Sequence, residues 1–568
     1  MTDRRTWIVS DSLITVGPDE HLVLWNEFVG DDSPHRSIPS LVRHDRDTFR
    51  DEILQVLDDV ASFHVDGIRL SKALELEDGL SYLHMTLVWA KRWGDLGVLP
   101  NAVKMLAFSR LLRETPPSKV VVRLGDSSVA KSIANTCARL GVPCDHVSTS
   151  RHSRWPTLRA LRHLMRWFTF AYPSNETSDL IIADYLFRVD PKVLSAGTFR
   201  SGYWANLPEM IEQSGRPVTW LHRFTPHPAI PRPAAARKAL RDLPRHHLLD
   251  QVHGVTAAWH AWKTYRRIGT LDIDARNAFV SRDCDLWPIF EHDWRESFRG
   301  SHPMSIAINL GNLQRLLRST DPRTLLYIYE NQPWEFLLRH LAGTRCDVIA
   351  VPHATVRYWD LRYFVGRASN DLLPTRVAVN SPIAKDELMR GGYSQESLHE
   401  AEALMYLNAD KRQSIPSRRR GILVLGELEV ASSQRYLDWA VQLAGERPIT
   451  FKPHPLVDVS QFSIDPSRVA VSGKSADELI AEAEVVVLGA SGTAALEAIS
   501  LGVPTITVLN PRELDLSVVR DHPLIRAIAT EAELAVALNE HSTRSADSED
   551  VFYRDQLLTR WEQLLGLN

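Results

Sequence analysis

Short apolar runs separated by polar turns dominate the last quarter of the chain. Between Arg447 and Leu509 the runs ITF, VVVL and TITVL are apolar throughout, without the alternation of a half-exposed strand. Such runs are typical of parallel strands that are buried on both faces. VVVL leads into the small-residue turn GASGT and then into the helical pattern AALEAIS, which ends before Gly502 and Pro504. The pattern predicts a parallel α/β sheet in this region.

The rest of the chain also mixes strand and helix patterns. TWIVSD, HLVLWNEF, LIIADYLF and VTWLH predict strands, VVVRLGDSSVAKSIANTCARLGVPCDHV predicts a β-α-β unit, and Leu80–Arg113 has a helical pattern broken at Gly97 and Pro100. A length of 568 residues predicts more than one domain. We expect an N-terminal Rossmann-like domain over 1–413 with helical insertions, a hinge at 414–421, and a C-terminal domain over 422–568 whose last helix could cross back.

Composition excludes several classes of protein. A net charge of −4 gives no reason to expect nucleic-acid binding by the whole protein. The four cysteines show no CxxC spacing and do not cluster with histidines, so we predict a reducing compartment and no metal site. The segment MTDRRTWIVSDSL lacks an apolar core, and no run approaches 18 apolar residues, so neither a signal peptide nor a membrane span is predicted.

Two of the predicted strand ends carry groups suited to an anion. The first strand ends in Lys452-Pro453-His454-Pro455, and the turn Ser491-Gly492-Thr493 lies between a strand and a helix N-terminus. Free N–H groups at a helix start, two hydroxyls and two basic side chains favour bound phosphate. Turns at the carboxyl ends of parallel strands are where α/β sheets bind ligands. The sequence therefore predicts the phosphate half of a nucleotide site.

These motifs resemble those of a known family. Lys-Pro-His-Pro followed by Ser-Gly-Thr-x-x-x-Glu-Ala is similar to the donor-binding domain of GT-B glycosyltransferases, and the His-Pro pair resembles that of bacterial sialyltransferases and Kdo transferases. The resemblance implies an α/β fold of two Rossmann-like domains facing across a cleft. It implies that Lys452, His454 and the turn Ser491, Gly492 and Thr493 bind the phosphate of a CMP-sugar, with Glu497 as a candidate for the ribose.

The N-terminal half should supply the acceptor site and the general base. Glu330 follows the strand pattern LLYIY, His353 ends the next strand, and successive strands of a β-α-β unit are often neighbours. A carboxylate beside a histidine can take a proton from an acceptor hydroxyl, and Arg357 could bind an acidic sugar's carboxylate or pair with Asp360. The surrounding stretch resembles bacterial surface-carbohydrate biosynthesis proteins. Alternative bases are Asp78, in a Glu-Asp-Gly motif that resembles the sialyltransferase motif, and Asp126, which could equally be a helix N-cap.

One helical pattern is basic and amphipathic. Between Asp145 and Glu176 the chain has no acidic residue, whereas 154–170 carries several arginines beside an apolar stripe. Such a helix can lie on an anionic membrane surface, or it can pack on the protein with its charges in water.

Together these features predict a metal-independent glycosyltransferase. It would move a sugar, with a CMP-activated acidic sugar favoured, from a nucleotide donor to a glycan or lipid-linked glycan acceptor of a bacterial surface polysaccharide such as capsule or lipopolysaccharide. No cofactor is expected beyond the donor itself, and the expected location is cytoplasmic, with peripheral attachment to the inner membrane as an option. The alternatives are a UDP-sugar 2-epimerase or alditol-phosphate transferase on the same fold, or a catalytically inactive scaffold.

Overall fold

Parallel β-sheets, arranged one after another along the chain, organise the protein. The computed structural model describes residues 5–30, 32–77, 79–93, 97–146, 155–170, 177–187, 189, 199–227, 230–343, 346–364, 373–410, 419–519, 521–540 and 551–567. Three larger sheets lie within these ranges, and every pair of neighbouring strands in them is parallel. Short antiparallel pairs join 64–65 with 68–69, 75–77 with 80–81, and 280–281 with 284–285.

The N-terminal sheet has five strands in the order β3-β2-β1-β4-β5. Its strands are β1 Thr6–Ser10, β2 Glu20–Leu24, β3 Arg36–Ser37, β4 Lys119–Arg123 and β5 Cys144–Asp145. The helices of this part are α1 Ile38–His44, α2 Arg46–Ser62, α3 Leu70–Ala73, α4 Leu99–Glu114 and α5 Ser127–Arg139.

The middle sheet has seven strands in the order β8-β7-β6-β9-β10-β11-β12. Its strands are β6 Leu180–Leu186, β7 Val218–Phe224, β8 His246–Leu248, β9 Thr324–Ile328, β10 Asp347–Val351, β11 Arg376–Val379 and β12 Leu398–Glu400. Its helices are α6 Pro156–Trp167, α7 Leu207–Gln213, α8 Pro233–Ala239, α9 Gly254–Thr270, α10 Trp287–Phe298, α11 Ser301–Thr320, α12 Pro333–Ala342 and α13 Pro382–Arg390.

The C-terminal sheet has six strands in the order β15-β14-β13-β16-β17-β18. Its strands are β13 Ile422–Leu425, β14 Ile449–Lys452, β15 Val469–Val471, β16 Val485–Gly489, β17 Thr505–Val508 and β18 Ile525–Ile528. Its helices are α14 Val430–Leu443, α15 Ala476–Glu482, α16 Ala494–Ser500 and α17 Glu531–Glu540, and α18 Thr559–Leu565 follows. Numbered within this unit the order is 3-2-1-4-5-6, the dinucleotide-binding order, which reverses between β13 and β16.

Burial explains why the C-terminal strands are apolar throughout. Leu423 and Val486 belong to a hydrophobic cluster on one face of the sheet, whereas Val424 and Val487 belong to a cluster on the other face. Alternate residues of a strand point to opposite faces, so a sheet covered by helices on both sides requires apolar residues at every position.

The α/β prediction is confirmed. The carboxyl ends of the middle and C-terminal sheets face each other, because Arg357, which follows β10, donates a hydrogen bond of 3.1 Å to the backbone oxygen of Ser491, which follows β16. This is the arrangement of Rossmann-like units across a cleft that GT-B proteins are expected to have.

The region over 1–413, for which the sequence predicted a Rossmann-like domain with helical insertions, contains two of the larger sheets. A single cluster of buried apolar side chains continues from Trp7 in the N-terminal sheet to Leu398 in the middle sheet, so the two share a core. Most of the predicted hinge at 414–421 lies outside the described residues. None of the helices in the described part of the chain is long and apolar enough to cross a membrane.

The helical prediction for Leu80–Arg113 is correct only for its second half. Leu99–Glu114 forms α4, but Tyr82–Met85 is a short 3-10 turn after a two-residue strand. Tyr82, Leu83 and Met85 are all completely buried. Tertiary packing of these consecutive side chains on several neighbours outweighs the local helical preference.

The last helix returns to the middle sheet. Trp561 and Leu565 of α18 belong to the same hydrophobic cluster as Leu180 and Ile182 of β6. The indole N–H of Trp561 donates to the backbone oxygen of Glu402 at 2.9 Å, and the Glu402 carboxylate accepts from the backbone N–H of Trp561 at 3.2 Å. The C-terminal helix therefore joins the two halves of the chain.

We expect Trp561→Ala to destabilise the protein strongly. Removing a buried Trp side chain costs about 3–5 kcal/mol, which lowers Tm by roughly 6–20 °C for a unit of 150–250 residues. Trp259→Ala is the matched control, because Trp259 is largely exposed and should change Tm little. Equal melting temperatures for the two variants would show that the helix contributes nothing to the middle unit.

Candidate active site

A cavity of about 470 Å³ lies at the carboxyl edge of the C-terminal sheet. Its walls come from the segments after β13, β14, β16 and β17, so it lies at the position where the strand order reverses and where α/β sheets bind ligands. Five residues predicted from the sequence line it together: Lys452, His454, Ser491, Gly492 and Thr493.

The Lys-Pro-His-Pro segment places two donors on the cavity wall. The Nδ1 atom of His454 accepts a hydrogen bond of 3.2 Å from the backbone N–H of Leu456. In the neutral imidazole the proton is therefore on Nε2, which can donate to a ligand. The ammonium of Lys452 donates to the backbone oxygen of Lys474 at 2.7 Å and keeps two further N–H groups.

The turn after β16 is built around glycines. A Cβ at Gly489 would lie about 2 Å from the carboxylate of Glu427, and a Cβ at Gly492 would lie 2.6 Å from Leu488 Cδ1. The missing side chain at Gly489 thus leaves the space that Glu427 occupies. Glu427 Oε1 in turn accepts the hydroxyl of Ser491 at 2.9 Å.

Glu427 is a cavity residue that the sequence did not reveal. The pKa of Glu427 is raised overall, chiefly by burial and also by the charge of Glu429. The Ser491 hydroxyl and Arg357 act in the opposite direction and lower this pKa. The protonated carboxyl can donate to Ser491 Oγ, which frees the serine proton for a bound anion. When Glu427 is ionised, the serine proton is committed to the carboxylate instead.

Thr493 and Glu497 differ in their relation to the cavity. Thr493 lines it and is exposed at the start of α16. Glu497 does not line it; burial raises its pKa, and the charge of Asp477 raises it further. Because α16 has only seven residues, side chains are the main source of positive potential in the cavity.

Glu330 and His353 meet at the carboxyl edge of the middle sheet. Ile328 of β9 pairs with Val351 of β10, and each of the two site residues lies two positions beyond its strand. The matched register brings His353 Nε2 within 3.4 Å of Glu330 Oε1. The ring of Tyr203 packs edge-on against His353 with 4.9 Å between centroids.

The surroundings of Glu330 favour a basic carboxylate. The pKa of Glu330 is raised above its ordinary value, chiefly by burial and also by the charge of Asp360. Arg362 and a hydrogen bond from Tyr185 lower this pKa and offset part of the increase. Arg362 lies 3.6 Å from Glu330 but also forms a two-pronged pair with Asp360, with contacts of 2.7 and 2.6 Å. Asp360 therefore takes much of the charge of Arg362, and Glu330 is only partly neutralised.

A second carboxylate, Glu335, holds this segment in place. It is completely buried, and it accepts the backbone N–H of Glu330 at 3.1 Å. Burial and the charge of Glu330 raise the pKa of Glu335 well above its ordinary value. Asn331, which lies between Glu330 and Glu335 in the chain, has a left-handed backbone with φ of +53°. Asn tolerates this conformation better than most residues. Local strain of this kind is common at functional sites.

Arg357 joins the two halves of the site. Its hydrogen bond to the Ser491 backbone oxygen places a partly buried guanidinium between the Glu330 segment and the cavity. Burial lowers the pKa of Arg357, and Asp360 raises it. The side chain of Asp360 accepts hydrogen bonds from Arg362. Arg357 donates instead to Ser491, next to the cavity.

The other acidic candidates lie elsewhere or are not described. Asp78 lies outside the described residues. Asp126 is the N-cap of α5, where its carboxylate accepts the backbone N–H of Ser128 at 2.9 Å, as one of the two hypotheses proposed.

Metal binding has little support in the described part of the chain. It contains no group of three or more His, Cys, Asp or Glu placed to hold a metal ion. The sequence has three Asp-x-Asp pairs, at 45/47, 272/274 and 283/285. Asp45 pairs with Arg110 at 2.6 Å, Asp272 pairs with Arg299 at 2.6 Å, and Asp285 accepts from Asn135 at 2.9 Å. None of the three pairs lines the cavity.

Comparison with known proteins gives structural similarities only. No family model and no curated protein sequence matches the chain. A glycotransferase of kitacinnamycin is 13% identical, over 69% of this chain and 94% of that one, with a TM-score of 0.35. UDP-N-acetylglucosamine 2-epimerase from Rickettsia bellii is 11% identical over 69% and 96% (TM-score 0.37), and Acinetobacter baumannii MurG is 13% identical over 64% and 91% (TM-score 0.36). Similarities of this size do not assign a reaction.

Proposed function

We propose that the protein is a glycosyltransferase that transfers a sugar from a nucleotide donor to a glycan of a bacterial surface polysaccharide. The observation that carries the proposal is the meeting of two half-sites. A cavity lined by anion-binding donors at the edge of one Rossmann-like sheet faces a basic carboxylate at the edge of another, and Arg357 bridges them.

The C-terminal half-site suits a donor phosphate. The ammonium of Lys452, the Nε2–H of His454 and the hydroxyl of Thr493 are donors on residues that line the cavity. Charge-assisted hydrogen bonds from such groups stabilise the negative charge that develops on a leaving phosphate. The carboxylates of Glu427, Glu429 and Glu513 line the same cavity and disfavour anions, so protonation of Glu427 would assist binding.

The middle-sheet half-site suits an acceptor hydroxyl. Glu330 takes the proton as the oxygen attacks the sugar, and His353, 3.4 Å from the carboxylate, orients it or accepts the proton in turn. Arg357 can neutralise a carboxylate on an acidic sugar, since its guanidinium lies between the half-sites.

The finer assignments in the proposal come from the sequence motifs. The Lys-Pro-His-Pro resemblance favours a CMP-activated acidic sugar and a glycan or lipid-linked glycan acceptor. Metal independence rests on Lys452, His454 and the helix N-terminus, which can offset the charge of the leaving phosphate. The basic amphipathic pattern of 154–170 favours a cytoplasmic protein that meets the anionic inner face of the membrane.

A thermal-shift panel of CMP, UDP, GDP and CDP, each with EDTA and with Mg²⁺, tests the donor site. A nucleotide at a hundred times its Kd stabilises the folded state by about 2.7 kcal/mol, or roughly 5–10 °C for a unit of this size. We expect CMP to give the largest shift, unchanged by EDTA.

Four results would change the proposal. A shift that requires Mg²⁺ would contradict metal independence, and a larger shift with UDP would replace the CMP assignment. Turnover of a UDP-sugar to its epimer without an acceptor would indicate the epimerase alternative. Nucleotide binding without turnover of any sugar or alditol donor would indicate a scaffold.

A further inference from the structure

Helix α6 exposes apolar side chains although it is packed against the protein. Ala160, Leu164 and Trp167 are buried, and Arg159 pairs with Glu296 at 2.7 Å, so the inner face is fully engaged. The opposite face carries the apolar side chains Leu158, Leu161 and Met165, at a spacing of three and four residues, and between 45% and 63% of each is exposed. The sequence left open whether the helix packs on the protein or lies on a membrane. In the structure one face packs on the protein and the other is exposed.

A second helix extends this apolar patch. Phe168 and Thr169, just after α6, pair with Val252 and His253, just before α9, so the end of one helix lies beside the start of the other. Both helices also pack on α11. Further exposed groups lie at the ends of the two helices: Trp155 just before α6, Phe170 just after it, and Val255 and Trp259 in the first two turns of α9, each 64–76% exposed. An exposed apolar patch of this extent typically marks an interaction site.

The same surface is strongly basic. Residues 155–170 and 230–270 contain eleven Arg and Lys and only two acidic residues, Asp242 and Asp250. Asp250 is buried and pairs with Arg223 at 3.3 Å, so it does not offset the surface charge.

A cavity of about 740 Å³ beside the patch concentrates this charge. Arg237, Lys238, Arg241 and Arg245 line it, and Thr169 connects it to the end of α6. A chain of hydrogen bonds supports its wall: His246 contacts His222 at 2.9 Å, and His222 contacts the Asp184 carboxylate at 2.5 Å. Arg237 donates to the backbone oxygen of Arg166 at 3.2 Å, which ties α8 to α6.

We infer that α6, the start of α9 and the basic cavity form a docking surface for an anionic lipid bilayer. Exposed Trp, Leu, Met and Phe enter the boundary between headgroups and acyl chains, while arginines around them bind lipid phosphates. A second copy of the chain fits less well, since a twofold contact would place the basic cavity against itself. The surface lies outside the donor cavity, and the inference needs no particular donor, although it supplies the membrane partner of the proposed transferase.

Flotation of the full-length protein with phosphatidylcholine vesicles, with and without phosphatidylglycerol, tests the surface. The wild type should bind only the anionic vesicles, and more weakly at high salt. Replacing Arg162, Arg166 and Arg241 with Gln should weaken this binding by about a hundredfold. A control that replaces Arg282, Arg323 and Arg390, three well-exposed arginines elsewhere, with Gln should bind like the wild type.

A second variant tests the apolar contribution. Replacing Leu161, Met165 and Trp259 with Ser should lower the affinity for the vesicles by about tenfold or more. The binding that remains at high salt should fall as well. Nucleotide affinity, measured on the same variants, should not change, so a failure here is distinct from a failure of the donor site.

The inference is wrong under any of three results. These are equal binding to neutral and anionic vesicles, equal loss in the arginine variant and its control, or a wild type that self-associates through this patch without vesicles. Salt-sensitive binding of a single-stranded oligonucleotide that is lost in the arginine variant, with no vesicle binding, would also overturn it.

Discussion

Glu330→Gln should lower kcat by about 10²–10⁴ while nucleotide affinity stays nearly unchanged. Glutamine keeps the size and most of the hydrogen bonding of glutamate, but it cannot accept a proton at neutral pH. The segment should remain folded, because Glu335 binds the backbone N–H of residue 330 and not its side chain. Steady-state kinetics with the donor selected by the thermal-shift panel, together with calorimetry of nucleotide binding, measures both quantities.

The pH profile separates a base from a merely structural carboxylate. Burial raises the pKa of Glu330, so the base becomes protonated at a higher pH than an ordinary glutamate as the solution is acidified. We therefore expect kcat/KM to fall with decreasing pH at a point above 4.5, and this limb should disappear in Glu330→Gln. Glu396→Gln, at an exposed glutamate, should leave both rate and profile unchanged. A fully active Glu330→Gln enzyme would transfer the role to another acid, with Asp78 the first to test.

His454→Ala should weaken nucleotide binding by about 10- to 150-fold. The Nε2–H that the Leu456 contact leaves available would donate one charge-assisted hydrogen bond to phosphate, worth roughly 1.5–3 kcal/mol. Isothermal titration of the wild type and the variant measures the change directly.

His454→Gln sharpens this test, because a glutamine amide can place an N–H near the Nε2 position. It should recover part of the affinity that His454→Ala loses. His340→Ala, at an exposed histidine outside the cavity, is the control. Equal affinity in His454→Ala and the wild type would exclude His454 from the donor site.

Local patterns were sufficient to predict the strands that border the C-terminal cavity. Runs that are apolar at every position specify buried parallel strands, and the strands formed at Ile449–Lys452, Val485–Gly489 and Thr505–Val508. The proximity of Glu330 and His353 also followed from strand succession, because β9 and β10 are neighbours in matched register. In both cases the decisive information lies within a few tens of residues.

Glu427 and Glu335 could not be predicted, for a different physical reason. Glu427 reaches Ser491 only because β13 and β16 are adjacent, which depends on the pairing of strands about sixty residues apart. Glu335 looks like an ordinary residue of an amphipathic helix until the buried turn at Glu330 is known. The division of the strands before residue 413 into two sheets could not be predicted either, because strand patterns do not reveal which strands pair. The helical pattern at Tyr82–Met85 was misleading because burial on several sides overrode it.

A crystal structure with the nucleotide selected by the thermal-shift panel would show where the donor phosphate binds. We expect phosphate in the cavity of the C-terminal sheet, within hydrogen-bond distance of His454 Nε2 and of the Ser491–Thr493 turn, with Glu330 facing the sugar side of the phosphate. A nucleotide bound at another place, or held in this cavity without contact to His454 or the turn, would contradict this expectation.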